Sequence, residues 1–263
     1  MKDVPEPSRQ LVGQWAVCGI AAAAARFIPV PLLDDAVQLR ATQVAVLRTL
    51  RANGRTYPSD WVEALYAGTD AGSAGAARRA LRYLRSVPRR VALFPVRKYV
   101  ALFGAVKGVP TDVMRVLLLC RTVHRALAQG RLAGADRQVL QLEAVRIRAA
   151  YDLALEGMDL RLLSGALADG LSQGKGLTSA AVAFARKTFG RDGFALLDVE
   201  ADDDKKDDVD GHQPEEREEA SLNPGGAVGE GAAQVEEVLR RPEIARLLAD
   251  FDAHVESSLP PRR

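Results

Sequence analysis

Hydrophobic positions along this chain recur at intervals of three and four, the spacing of one face of an α-helix. Leu33, Ala36, Val37, Ala41, Val44, Leu47 and Leu50 trace one such face, and Val139, Leu142, Val145, Ala149 and Leu153 trace another. Neither run alternates as a half-buried strand would. The pattern predicts helices over 33–52, 113–129, 135–156, 160–171 and 177–189, with a short one near 59–66. A last helical stretch, 233–259, carries Val235, Val238, Leu239, Ile244, Leu247, Leu248, Phe251 and Val255, and Pro242 divides it. Proline suits the first turn of a helix, so the second half is expected to start there.

Two blocks depart from the amphipathic pattern. Leu11–Ile28 is apolar over 18 residues, broken by Gln14 and Arg26, and Val91–Val109 contains Phe94-Pro95 and Arg97-Lys98. Both lead into a Val-Pro step, then an aspartate, a long helix and a Gly-Arg stop, at Gly54-Arg55 and Gly130-Arg131. Pro29, Pro31, Pro95 and Pro110 are the expected helix breaks, because proline removes a backbone donor and restricts the residue before it. The first block admits three readings: a signal peptide, a buried helix of a soluble bundle, or half of a membrane-inserted hairpin. Its length is just short of the ~20 residues of a continuous span. Asp3 and Glu6 spoil the positive leader of a signal peptide.

The predicted fold is all-α, a helical bundle of proline-broken hairpins with a disordered acidic linker and a C-terminal helix. Four parts follow: a leader over 1–10, a basic helical body over 11–193, the acidic linker over 194–231, and a C-terminal amphipathic helix over 232–259. Aromatic residues make up only 5% of the 263, which disfavours sandwiches and barrels. Cys18 and Cys120 are the two cysteines, too few for a disulfide framework.

The formal net charge of +2 conceals a strong asymmetry. Residues 1–193 hold 28 Lys and Arg against 15 Asp and Glu, whereas 194–263 hold 8 against 19. Within the body, residues 78–90 contain Arg78, Arg79, Arg82, Arg85, Arg89 and Arg90, with Leu81 and Leu84 as apolar anchors. Together with Arg97 and Lys98 they form the candidate surface for an anionic membrane. Asp198–Glu219 carries twelve acids and three bases, and so few apolar groups that ordering entropy wins.

No constellation of residues in the sequence points to catalytic chemistry. His124, His212 and His254 lie in separate segments with no i, i+4 pair, so no metal site is expected. Gly170 and Gly174-Lys175 are spaced one residue short of a phosphate loop, and no strand precedes them. Asp34 and Asp35 suit the helix dipole rather than acid–base work. No catalytic residue is assigned, no cofactor is expected, and the chain is read as non-enzymatic.

Ala21–Asp35, AAAAARFIPVPLLDD, and Ala41–Leu50, ATQVAVLRTL, resemble a bacterial family of helical domains related to the EcsC-like proteins, some of which sit at the C-terminus of GTPases. The resemblance centres on residues 11–54. It implies a helical, membrane-associated domain without enzymatic activity. This chain differs in having no GTPase domain and in carrying Arg26 inside the first apolar run.

The expected function is therefore a cytoplasmic protein on the cytoplasmic face of the membrane. Its basic body docks on anionic headgroups and its acidic tail competes for the same patch. A second reading is a soluble adaptor that recruits a protein through Leu239, Ile244, Leu247, Leu248 and Phe251. A third is a nucleic-acid binder in which the arginines meet phosphates while Tyr57, Trp61 and Tyr83 stack on bases.

Overall fold

The computed structural model describes residues 5–28, 33–67, 108–134, 136–174, 176–189 and 224–260. Among the described residues nine α-helices and no strand are present: α1 (Arg9–Ala24), α2 (Leu33–Ala52), α3 (Glu63–Ala67), α4 (Val109–Ala128), α5 (Arg137–Gly157), α6 (Arg161–Ser172), α7 (Leu177–Phe189), α8 (Ala227–Leu239) and α9 (Pro242–Ser258). The all-α expectation holds.

Helix α1 starts where the Ser8 hydroxyl accepts from the Leu11 amide at 3.2 Å, satisfying one of the free donors of the first turn. From Trp15 to Ala24 ten successive residues are buried. A helix that is apolar all round belongs in the middle of a core or in a bilayer. Here α2, α4, α7 and α8 all pack on it. The first apolar block is therefore the axis of the bundle. No helix of the described residues is long and apolar enough to cross a membrane.

Glycine ends both long hairpin helices as the pattern anticipates. After α2, the Gly54 amide donates to Arg51 O and the Arg55 amide to Leu50 O, both at 2.9 Å. After α4, Gly130 donates to Leu127 O at 2.7 Å and Arg131 to Ala126 O at 2.8 Å. Each is a Schellman turn, with the glycine at φ +70° and +74° respectively.

Pro110 departs from expectation. Instead of breaking a helix, it lies in the first turn of α4, which begins at Val109 rather than Val113. The missing N–H costs nothing there, because that turn has no intrahelical acceptor to reach. Pro29, Pro31 and Pro95 lie outside the described residues.

The C-terminal region also departs from expectation. Helix α8 begins at Ala227, within the stretch assigned to the linker. Gly231 allows it: a Cβ there would meet Leu177 Cδ1 at 3.0 Å and Ile20 Cδ1 at 3.3 Å. A residue unfavourable to an isolated helix is the one that lets α8 approach α1 and α7. Helix α9 starts at Pro242 as predicted and packs on α5.

Candidate functional site

Helix α5 is apolar on two sides. Asp136 caps it, its Oδ1 accepting from the Gln138 and Val139 amides at 2.8 and 3.0 Å. Leu140, Ala144, Ile147, Tyr151 and Ala154 face the core. Tyr151 donates to Arg115 O at 2.8 Å, lies edge-on to Phe251, and carries Arg148 over its ring at 5.1 Å. The stripe read from the sequence is the other one. Val139, Leu142, Val145 and Leu153 are 43–55% exposed, four large apolar side chains on the outside of one helix. Arg146 is exposed among them, seven residues from both ends of the stripe. Leu162, second residue of α6, is 53% exposed.

The start of this face lies beside the second loop of the body. Arg137 pairs with Asp60 at 2.8 Å, and Arg148 donates to Leu65 O of α3 at 3.0 Å. Helix α3 ends at Ala67 against α5. The sequence that follows Ala67 is the one that carries the arginine cluster. Arg78, Arg79, Arg82, Arg85, Arg89, Arg90, Arg97 and Lys98 lie outside the described residues.

A seam of charge joins α4 to α9. Arg121 and Arg125 of α4 and Gln129 at its C-terminal cap stand at successive i+4 positions, opposite Asp252 and Glu256 of α9. Arg121 Nη2 donates to Asp252 at 2.8 Å and its Nε reaches both carboxylate oxygens at 3.1 Å. Arg125 reaches Asp252 at 3.2 Å and Glu256 at 2.7 Å, and Gln129 donates to Glu256 at 2.8 Å. Burial pushes the Asp252 carboxyl above its usual range, against the pull of Arg121 and Arg125.

This seam and the apolar positions beside it seat the C-terminal helices on the body. Ile244, Leu248 and Phe251 are buried, while Leu239 and Leu247 are partly buried against the same core. The adaptor reading needs these five residues to face a partner. Ile244, Leu248 and Phe251 pack on this chain's own core instead, and Leu239 and Leu247 do so in part.

Buried polar groups near the N-terminus are tied to one another. Trp15 Nε1 donates to Thr49 Oγ1 at 2.8 Å, and Thr49 donates to Ala45 O at 2.8 Å. Asn53 Nδ2 lies 3.1 Å from His124 Nδ1, while His124 Nε2 lies 3.0 Å from Pro5 O. Nδ1 is placed to accept from the Asn53 amide and Nε2 to donate to Pro5 O. It also holds residue 5, part of the expected loose leader, against the body. Arg26 makes a two-bond ion pair with the buried Asp112 in the first turn of α4, one bond at 2.9 Å. Tyr57 donates to Leu132 O at 2.6 Å and Trp61 packs against the core, so both of these proposed base-stacking rings have structural work. Tyr83 lies outside the described residues.

Burial pushes the Cys18 thiol up to about 12, and that of Cys120 also upward. Among the described residues no group of three or more His, Cys, Asp or Glu side chains could hold a metal ion. Comparison with family models, with curated proteins and with solved structures finds no match.

Proposed function

We propose that this chain is a non-enzymatic helical protein that docks peripherally on an anionic membrane surface through the outer face of α5. One observation carries the reading, the half-exposed stripe of Val139, Leu142, Val145 and Leu153. Covering the exposed half of each gives roughly 1 kcal/mol apiece, half the value for a fully buried aliphatic side chain. The sum suits reversible attachment of an in-plane helix.

Arg146 decides between a membrane and a second copy. A two-fold antiparallel pairing of α5 centred on the stripe would bring Arg146 against its own copy. Against anionic headgroups the same charge contributes ~1 kcal/mol. The eight basic residues between 78 and 98 add to the attraction of an anionic surface for this chain. The resemblance of residues 11–54 to EcsC-like helical domains points the same way. The first apolar block has no part in insertion in this account, because it is the bundle's central helix.

The test is co-sedimentation with vesicles of phosphatidylcholine alone and with added phosphatidylglycerol. The native chain is expected to pellet with the anionic vesicles and to be released by salt. Leu142→Asp with Leu153→Asp is expected to lower partitioning about tenfold at an unchanged melting temperature. Equal pelleting of the double variant, or no pelleting of the native chain, overturns the proposal.

A further inference from the structure

A cavity of about 160 Å³ lies where α1, α4, α6, α8 and α9 meet. Its inner wall includes Trp15, Leu117, Leu118, Leu163 and Leu248, all buried. Interiors are otherwise close-packed, and a void of this size leaves its lining without contact partners. Apolar cavities of about 150 Å³ stay dry and take a molecule of benzene's size. This one is open at one side, between residues that carry charge: Glu6, Arg9, Arg121, Glu236 and Arg240.

Most of that charge is already matched. Arg121 is engaged by Asp252 and lies 3.5 Å from Glu6, and Arg240 meets Glu236 at 2.7 Å. Arg9 makes no ion pair among the described residues and is exposed at the mouth. The site therefore combines an apolar chamber with one unmatched cation at its entrance.

We propose that this cavity binds a small organic acid, a short aliphatic or benzenoid carboxylate. The apolar body lies against Trp15 and Leu163, and the carboxylate pairs with Arg9. This site is separate from the outer face of α5 and stands whether or not that face meets a membrane. Chamber size limits the apolar body to a short chain or a single ring, and Arg9 selects an anion over an amine of the same length.

Titration calorimetry of the full chain with hexanoate, hexylamine and acetate tests it. Hexanoate is expected to bind saturably at one site, with hexylamine and acetate at least tenfold weaker. Arg9→Gln removes a charge-assisted contact and is expected to weaken hexanoate about tenfold. Val12 of α1 also lines the chamber, so Val12→Phe places a ring in it and is expected to abolish binding. Arg9 is exposed, so Arg9→Gln keeps the proposal falsifiable even where Val12→Phe disturbs packing. Absence of saturable hexanoate binding, equal affinity for hexylamine, or an unchanged affinity in a folded Arg9→Gln chain each overturns it.

Discussion

Asp252 of α9 is gripped by Arg121 of α4 through three hydrogen bonds of 2.8–3.1 Å, across 131 residues of sequence. The contact fastens the last helix to the body although an acidic stretch of sequence separates the two. Removing Asp252 takes away the acceptor of three Arg121 N–H bonds, and a buried donor left without an acceptor is costly. Asp252→Ala is therefore expected to cost about 1–3 kcal/mol of stability, measured by urea unfolding. A loss below about 0.5 kcal/mol would place this contact with ordinary surface pairs.

The pH dependence of that contact has a definite sign. Burial raises the Asp252 carboxyl above its unfolded value, which is about 3.9. Its contribution to stability is thus fully present below the unfolded value and declines as pH rises through the raised one. Between pH 7 and pH 3 the native chain should gain stability relative to Asp252→Asn. Melting curves of both chains across that range check it, and a relative loss at low pH contradicts it.

Ala22 is fully buried in the last turn of α1. Ala22→Leu forces extra volume into a packed core and is expected to cost about 1–3 kcal/mol. A helix face turned toward lipid would accept leucine with no such loss. An unchanged melting temperature would contradict the assignment of α1 as the bundle axis.

Cys18 and Cys120 are both fully buried, with thiols held above their ordinary range. A thiol-specific chromogenic reagent at pH 8 is expected to leave both unmodified in the native chain and to titrate two thiols after denaturation. Fast reaction without denaturant would show that the α1–α4 contact opens readily.

The twelve acidic residues of 198–219 lie in the same chain as a body that carries an excess of positive charge. Replacing them with Asn and Gln is expected to tighten binding to anionic vesicles several-fold, because a tethered competitor for the arginines is removed. Unchanged or weaker binding would rule out the acidic stretch as a modulator.

Local signals were readable from the sequence and long-range ones were not. Gly54-Arg55 and Gly130-Arg131 announce helix ends because a left-handed residue is needed there, and glycine supplies it. The two apolar stripes of α5 differ in register by only one or two residues. Periodicity alone cannot say which is inward. The larger Tyr151 and Ile147, with the Tyr151 hydroxyl reaching Arg115 O, decide it in three dimensions. The start of α8 was hidden for a related reason. Gly229 and Gly231 disfavour a helix in isolation, and the approach to Ile20 and Leu177 that makes Gly231 useful is tertiary. The cavity likewise draws its walls from five helices, and no single stretch of sequence carries its outline.

The most direct test of the α5 assignment places an environment-sensitive fluorophore at position 142 through Leu142→Cys. The native thiols are expected not to compete for the label. Glu237→Cys, on the exposed side of α8, serves as the reference position. Anionic vesicles should shift the emission of the label at 142 to the blue and leave that at 237 unchanged. An unshifted label at 142, or equal shifts at both positions, would contradict docking through the outer face of α5.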